Sequence, residues 1–227
     1  MKVITWNCNL KFKEKFELVN SFDADICFIQ ECEKLKSDFF PNYKYFWTGR
    51  NEAKGMGVLI KKNDFFIDES HNKDLINFLP IKSDNLKLLG VWSFNHRASK
   101  FGSEVSGNTI DAINFYRDWF GDNNERCIIA GDFNNSIIWD KKNNANNFKN
   151  INDNLLSLGF VSNYHELEKE AFGKESSATF FHTKKELKPY HIDYIYSKNL
   201  TPKELRLGLY SEWINYSDHS PLIVEYA

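Results

Sequence analysis

Polar side chains that can bind metal or move protons follow the apolar runs of this sequence, at the points where strands would end. The runs "TWNCN", "CFIQE", "SFNH", "AGDFN" and "SDHSP" contribute, in that order, Asn7, Glu31, Asn95 with His96, Asp132 with Asn134, and Asp218 with His219. Strand ends of packed sheets gather at one rim, and loops on such a rigid scaffold usually carry function. We therefore expect these side chains to lie close together.

Each of these residues, taken alone, has an ordinary structural explanation. An Asp or Asn after a strand is typically a turn residue, and "SDHS" is typical of a loop. Glu31 is harder to explain in this way, because a glutamate directly after "ICFIQ" needs a partner at a buried strand end. Asp193 lies between Ile192 and Ile195 and likewise needs a charged or hydrogen-bonded mate. If these residues only formed turns, the occurrence of the whole set together would be much less probable than the occurrence of any one of them.

The donor types in this set favour a hard divalent cation. Carboxylate and amide oxygens, without a cluster of cysteine or histidine, suit Mg²⁺, with Mn²⁺ as a substitute, better than zinc. Cations held by a few carboxylates typically act on phosphate. A histidine oriented by a second carboxylate can then stabilise or protonate phosphoryl oxygens. The residues therefore predict metal-assisted hydrolysis of a phosphoester.

Hydrophobic periodicity predicts the elements that position these residues. β-branched and apolar runs predict strands, and apolar residues at helical spacing predict helices. The expected strands are 2–6, 24–31, 43–49, 55–62, 85–96, 126–131, 177–182, 190–197, 204–210 and 220–226, with a hairpin or loop pair between the third and fourth.

Three amphipathic helices are expected between these strands. Their apolar stripes are Phe12, Phe16, Val19 and Phe22 in the first, Ile110, Ile113, Tyr116 and Phe120 in the second, and Phe148, Ile151 and Leu155 in the third. Asn108 or Thr109 can cap the start of the second helix, and Gly159 is suited to close the third. About ten strands with three helices predict a mixed α/β protein with two packed sheets.

The composition agrees with one globular domain covering residues 1–227. The 227 residues are 42% hydrophobic and 16% aromatic, which is ample for a large core. Lysine and arginine number 29 against 31 aspartate and glutamate, so the chain has no overall basic character for binding nucleic acid or membrane. A polyanionic partner must be held by local patches or by metal.

The cysteines and the N-terminal residues predict a soluble, cytoplasmic protein. Cys8, Cys27, Cys32 and Cys127 form no CxxC pairs, which favours reduced, buried thiols over disulfides or zinc. The start, "MKVITWNCN", lacks the apolar region of a signal peptide, and no run approaches 18 apolar residues. We therefore expect no membrane insertion.

The motifs in this order resemble the endonuclease/exonuclease/phosphatase superfamily, which has the DNase I-like fold. The series "TWNCN", "IQE", "NH", "GDFN", "HIDYI" and "SDHSP" extends from Asn7 to Pro221, and the combination is specific although each piece alone is weak. The resemblance implies a four-layer α/β/β/α arrangement, a two-sheet β-sandwich flanked by helices, with one active site at the rim. It also implies phosphodiesters or phosphomonoesters as substrates.

The resemblance implies a role for each matching residue. Glu31 is similar to the principal Mg²⁺ ligand, with Asn7 and Asp218 near the metal directly or through water. Asp132 resembles the residue that positions or deprotonates the attacking water, and Asn134 resembles the amide that holds the phosphate.

Two histidines also match the family pattern. His219 resembles the imidazole that contacts the scissile phosphate and is held by Asp193. His96 lies where secreted nucleases and several phosphatases of the family have a catalytic histidine.

Departures from the family pattern narrow the activity. Members that cut abasic DNA tend to have a tyrosine where this chain has His96 and an aspartate where it has Asn9, which argues against abasic-site repair. Inositol phosphatases of the family carry a Trp-Cys-Asp-Arg signature that "LKPYHIDYI" lacks. Asn9 and Asn95 are then candidates for contacts with the substrate.

Three functions remain to be compared. The first is a Mg²⁺-dependent nuclease, endonuclease or exonuclease, with lysines at 61–62, 141–142 and 184–185 as candidate contacts to nucleic acid or as a solvated face. The second is a phosphatase or phosphodiesterase acting on a small molecule, a lipid head group or a protein-linked nucleotide. The third is a catalytically silent binding domain, which predicts loss of site residues, and every expected acid and imidazole is present.

Overall fold

The computed structural model describes residues 1–62, 64–94, 109–122, 124–142 and 144–227. The helices are α1 Phe12–Asn20, α2 Thr109–Phe115, α3 Phe148–Ser157, α4 Asn163–Glu168 and α5 Tyr210–Trp213. The strands are β1 Lys2–Asn7, β2 Ile26–Cys32, β3 Lys44–Asn51, β4 Lys54–Ile60, β5 Phe66–Ile67, β6 Phe78–Lys82, β7 Lys87–Trp92, β8 Cys127–Asp132, β9 Val161–Ser162, β10 Phe180–Phe181, β11 Pro189–Tyr190, β12 Asp193–Lys198, β13 Pro202–Leu207 and β14 Leu222–Tyr226.

The strands of the described residues form two main sheets of six strands each. The first sheet has the order β13-β14-β1-β2-β4-β3, and the second has the order β5-β6-β7-β8-β12-β9. β10 and β11 form a separate two-stranded ribbon. The strand β1 runs parallel to β2 in the first sheet, and β7 runs parallel to β8 in the second. In each sheet, therefore, two neighbouring strands deliver their carboxyl ends to the same edge.

Three apolar layers hold the sheets and helices together. The inner faces of the two sheets pack on each other through Phe28, Val58, Leu88, Ile128 and Ile195, among others. The other face of the first sheet is covered by α1, and the other face of the second is covered by α2 and α3. The predicted fold class, a two-sheet sandwich flanked by helices, is confirmed.

The boundaries of the first predicted helix agree with the structure better than those of the second. Helix α1 buries Phe12, Phe16 and Val19 as expected. Helix α2 ends at Phe115, and the rest of its predicted stripe follows in turns whose backbone N–H groups still bond four residues back, as in Phe120 to the Tyr116 carbonyl at 3.0 Å.

The predicted caps have separate outcomes. Thr109 is the first residue of α2 rather than the residue before it, and its buried hydroxyl donates to Ser93 Oγ at 2.7 Å. Asn108 lies outside the described residues. Gly159, after α3, has the left-handed φ of 86° that suits a helix end.

The strand predictions for the C-terminal third are too long. The run 177–182 contributes only β10, and the run 190–197 is divided between β11 and β12, because Tyr190 pairs with Phe180 of the small ribbon while Asp193 pairs with β8. The short helices α4 and α5 were not predicted. Their four to six residues are too few for a hydrophobic stripe to stand out.

The cysteines are buried and free, as predicted. Among the described residues, no helix is long and apolar enough to cross a membrane.

Gly131 permits a close approach of two strands beneath the site. Its φ is 152°, and a Cβ placed on it would lie 1.8 Å from the Val91 carbonyl oxygen of the neighbouring strand β7. Gly159 also has a positive φ, but a Cβ there would meet nothing nearer than 3.7 Å. A side chain at Gly131 would therefore meet both a steric clash and an unfavourable φ, whereas a side chain at Gly159 would meet only the unfavourable φ.

We expect Gly131→Ala to lower the free energy of unfolding by about 3 kcal/mol or more, because strain and overpacking add. Gly159→Ala is the matched control and should cost only about 1 to 2 kcal/mol, from conformation alone. Urea unfolding of both variants measures the difference. Equal losses would show that β7 can yield at Val91.

Candidate active site

Eight of the ten predicted site residues lie at the edge where both sheets end. Asn7 is the last residue of β1 and Asp132 is the last residue of β8. Asp193 begins β12 and is the antiparallel partner of Asp132, so their carboxylates lie beside each other. The directions of these strands therefore place Asp132 and Asp193 of the second sheet near the side-chain amide of Asn7 in the first sheet.

One side-chain amide joins the two sheets. The Nδ2 group of Asn7 donates to Glu31 Oε1 at 3.2 Å and to Asp132 Oδ2 at 3.0 Å. Asn7 and Asp132 are fully buried, whereas Glu31 is partly exposed. The buried amide therefore fixes the separation between an acid that solvent can reach and an acid that it cannot.

Three site residues have left-handed backbone conformations. The φ angles of Asn9, Glu31 and Asn134 are 50°, 60° and 46°. Asparagine tolerates this region, but glutamate rarely adopts it. Glu31 lies in a bulge of β2, where the register with β4 shifts between Gln30 and Cys32. Bulges re-aim side chains, and such strain, of about 1 to 3 kcal/mol, accumulates at functional sites.

The "AGDFN" stretch forms a local turn as well as part of the site. The Asn134 main-chain N–H donates to Asp132 Oδ1 at 2.8 Å, and its side-chain Nδ2 donates to Asp132 Oδ2 and to the Ser93 carbonyl, both at 2.9 Å. The turn interpretation of these two residues is therefore correct in part. Because Asn7 also donates to Asp132, this carboxylate accepts bonds from both sheets.

A second acid holds an imidazole. His219 Nδ1 donates to Asp193 Oδ2 at 2.9 Å, and both side chains are buried. Asp193 Oδ1 has no hydrogen-bond partner among the described residues. One ligand atom each of Asp132, Asp193 and His219 lies within 4.8 Å of the others. This buried group could share a proton or face a cation.

Burial and neighbouring charges shift the pKa values of these groups. Burial raises the pKa of Asp132 to about 7, and the Asp193 carboxylate adds to the rise, while His219 and Asn7 oppose it. Burial alone would lower the pKa of His219, but the carboxylates of Asp193, Asp132 and Asp218 outweigh it and raise that pKa to about 10. His219 is therefore a cation at neutral pH.

The outer acid already has a cation beside it. Lys54 Nζ lies 2.8 Å from Glu31 Oε2 and 5.0 Å from the centroid of the Trp92 ring. The Glu31 side chain is 20% exposed, so positive charge can reach it from solvent. With Asp218 nearby and an unpartnered oxygen on Asp193, the donors are oxygens, as Mg²⁺ prefers. The residues therefore fit a hard divalent cation.

Loops complete the site beside Glu31. Asn9 Nδ2 donates to Asp218 Oδ1 at 3.2 Å, and the Asn9 main-chain N–H donates to Asn7 Oδ1 at 3.0 Å. Ser217 Oγ donates to the Asn7 carbonyl at 2.7 Å and accepts from the His219 N–H at 3.0 Å. The loop before β14 is therefore tied to the end of β1.

The structure brings together eight of the ten predicted site residues: Asn7, Asn9, Glu31, Asp132, Asn134, Asp193, Asp218 and His219. Asn95 and His96 lie outside the described residues.

Lys54, Ser217 and Thr179 also contact the site residues, although the sequence did not predict them. Thr179 Oγ1 accepts from the main-chain N–H groups of Ile192 and Asp193, at 3.1 and 3.0 Å. These three act through tertiary contacts that leave no local signal, although Ser217 does directly precede Asp218.

A cavity of about 630 Å³ opens beside the site. Asn134 belongs to both, and aromatic side chains of Trp139, Phe180 and Tyr190 form part of its wall. The Phe180 ring lies 4.6 Å from the His219 ring, centroid to centroid. Phe180 therefore lines the cavity and also contacts the imidazole.

Comparison with known proteins finds one matching family profile and several similar folds. The sequence matches the profile of the Endonuclease/Exonuclease/phosphatase family over residues 4–219. Among curated proteins, none is similar enough in sequence to be recognised as a relative.

Three solved structures share the fold over 100% of this chain and 99% of their own. They are the 3′ phosphatase NExo (D146N) from Neisseria bound to a product DNA hairpin (TM-score 0.75, 18% identity), the 3′-5′ exonuclease NExo from Neisseria meningitidis (0.72, 19%) and an AP endonuclease from Archaeoglobus fulgidus (0.75, 14%).

The charge on His219 depends on its acidic partner. In protein free of divalent cations, we expect Asp193→Asn to lower the pKa of His219 by about 1 to 3 pH units, because a close opposite charge is removed. Asp218→Asn is the matched control and should lower it less, since Asp218 is the weakest of the three acidic neighbours. NMR titration of the imidazole, assigned with His219→Gln, measures both. An unchanged pKa in Asp193→Asn would contradict the pairing.

Proposed function

Because this chain belongs to the endonuclease/exonuclease/phosphatase family, we propose that it is a Mg²⁺-dependent nuclease that hydrolyses phosphodiesters of DNA or RNA. The family consists of phosphoester hydrolases, so the predicted enzyme class and the predicted resemblance are both confirmed. One observation carries the nuclease proposal. The hydrogen-bonded series Glu31–Asn7–Asp132 lies next to the Asp193–His219 pair, beside a cavity with aromatic walls.

Glu31 is the proposed principal ligand of Mg²⁺. Its carboxylate is the most accessible acid of the hydrogen-bonded series. Asn9 joins the Asn7 Oδ1 to the Asp218 carboxylate, and these are the further oxygen donors proposed for the cation. Bound there, Mg²⁺ would neutralise charge on a phosphate oxygen. Lys54 balances Glu31 from the other side and would be free to turn toward a phosphate once Glu31 binds a stronger cation.

Asp132 is the proposed base that orients and deprotonates the attacking water. A base works best when its pKa is near the working pH, and burial raises the pKa of Asp132 to about 7. Asn134 holds this carboxylate with two bonds. Its second side-chain hydrogen is bound to the Ser93 carbonyl, so contact with a phosphate oxygen requires that bond to be exchanged.

His219 is the proposed donor to the scissile phosphate. Asp193 fixes Nδ1, which leaves Nε2 as the atom that can donate to a phosphate oxygen. As a cation, the imidazole would stabilise the negative charge that develops when the bond to the leaving oxygen breaks. Thr179 holds Asp193 through the main chain and so maintains the pair.

The cavity and the rim support a nucleic acid substrate. Rings such as Trp139, Phe180 and Tyr190 can stack on a base or a sugar, and Lys141 lies in the same wall. One structural neighbour was solved with a product DNA hairpin. Lysines 184–185 are exposed in the segment between β10 and β11, whose Tyr190 lines the cavity. Lys61 follows the last residue of β4, whereas Lys54, beside the site, is its first residue. Lys61 therefore lies away from the site, where it pairs with Asp23.

The substrate class is tested with purified protein and Mg²⁺. We expect product from plasmid, single-stranded DNA or RNA, and none once a chelator is added, because the proposed ligands are oxygen donors. Glu31→Gln should weaken binding of Mn²⁺ in calorimetry, whereas Glu52→Gln, an exposed glutamate paired with Lys34, should not. Activity on inositol phosphates alone would refute the nuclease, and full activity in chelator would refute the metal.

Asp132→Asn separates chemistry from turn formation. The substitution is nearly isosteric and keeps a side chain suited to a turn, but it removes the charge. We expect the rate to fall by about 10² to 10⁴, as for loss of a general base, with the fold retained. Asp25→Asn is the control, because Asp25 accepts the Lys2 N–H at the other end of β1 and should affect stability only.

The imidazole is expected to behave as one unit with its acid. His219→Ala should show a deficit comparable to that of Asp132→Asn, and adding Asp193→Asn should change the rate little further. A near wild-type rate for Asp132→Asn on the identified substrate would contradict the mechanism.

A further inference from the structure

Lys15 of α1 ends in a cage of main-chain carbonyl oxygens. Its Nζ lies 2.6 Å from the carbonyl oxygen of Cys8, 3.3 Å from that of Asn9, 2.9 Å from that of Leu10 and 2.7 Å from that of Tyr216. The side chain is half-buried. An ammonium has three hydrogens, so four neutral oxygens at these distances share them.

The cage depends on an unusual backbone. Asn9, Leu10 and Lys11 are three consecutive left-handed residues, with φ angles of 50°, 67° and 54°. Each such residue costs about 1 to 2 kcal/mol in a non-glycine chain, so surrounding contacts must compensate. Lys15 supplies one compensation, because successive carbonyls of this turn converge on its ammonium.

The four oxygens come from the two loops that carry the proposed metal site. The loop after β1 holds Asn9, whose side chain contacts Asp218, and the loop before β14 holds Asp218 itself. Tyr216 precedes Asp218 by two residues and gives its carbonyl to Lys15. Because it binds carbonyl oxygens of both loops, the ammonium fixes the distance between them.

We propose that Lys15 is a positioning residue, an internal monovalent cation that holds the Asn9 and Asp218 loops at the separation required for binding a divalent metal. This inference rests on the proposed metal site. Several carbonyl oxygens at such distances also suit K⁺ or NH₄⁺, since carbonyls can replace the hydration shell of such ions. Removing the lysine side chain therefore leaves a cage that a small monovalent cation can fill.

The carbonyl cage distinguishes positioning from plain stabilisation. A lysine that only tethers α1 would change the melting temperature, and its loss would not be repaired selectively by ions of ammonium size. A lysine that sets the loop spacing acts on the affinity for the divalent metal, and an ion in its place restores that affinity. Supporting residues of this type typically change metal affinity by about 10- to 100-fold.

The experiment measures Mn²⁺ affinity by calorimetry in choline chloride and in NH₄Cl or KCl of equal ionic strength. In choline, Lys15→Ala should bind Mn²⁺ about tenfold more weakly than wild type. NH₄⁺ or K⁺ should recover most of that loss, and should leave wild type unchanged. Lys13→Ala is the matched control, because this exposed lysine lies on the same helix and should behave as wild type in every salt.

The outcomes separate the two proposals. Wild type that binds no Mn²⁺ would refute the proposed metal site. Wild-type binding with an unaffected Lys15→Ala, or with a loss that no monovalent cation repairs, would overturn the role of Lys15.

A second measurement covers the case in which Lys15→Ala folds in none of these salts. Reductive methylation of wild type should then modify Lys15 about tenfold or more slowly than Lys13, because four acceptors hold its hydrogens, and Mn²⁺ affinity should fall only as Lys15 reacts. Equal rates for the two lysines, or no change in affinity, would overturn the proposal.

Discussion

The amide of Asn7 is the interaction on which the site depends. It ends the central strand of one sheet and donates to Glu31 in that sheet and to Asp132 in the other. Two sheets packed face to face have no backbone hydrogen bonds between them, so a buried side chain must set how their edges meet. A carboxylate pair joined in this way has a fixed separation. The geometry that we propose for binding a metal and orienting a water depends on that separation.

Buried charge is balanced within the site rather than by the surface. Asp132 and Asp193 are wholly buried acids on adjacent strands, an arrangement that would be costly without the His219 cation and the amide donors. Outside them, Lys54 faces Glu31, and Lys15 donates to main-chain carbonyl oxygens. The buried acids therefore have the His219 cation beside them, and the acid at the rim has Lys54. A substrate with a negative phosphate meets this field as it enters.

Much of this arrangement could be predicted from strand ends. Asn7 and Asp132 end apolar runs, and each run is a strand with a parallel neighbour whose carboxyl end lies at the same edge. Asp193 was expected inside a strand, but the strand begins at Asp193 itself. Helix α1 could be predicted because its apolar residues recur at helical spacing over more than two turns. The bulge that turns Glu31 outward was not, since it depends on the register between β2 and β4. Lys54, Thr179, Ser217 and Lys15 also could not be predicted, because their hydrogen-bond or ion-pair partners are distant in sequence or are main-chain atoms.

The proposed metal site is tested most directly by anomalous diffraction from crystals grown with Mn²⁺. We expect a strong anomalous peak in contact with the Glu31 carboxylate, on the side that faces Asn7 and Asp218, with the Asn7 amide still bonded to Asp132. A crystal in which Mn²⁺ binds without contact to Glu31, or in which saturating Mn²⁺ leaves no peak at this edge of the sheets, would contradict it.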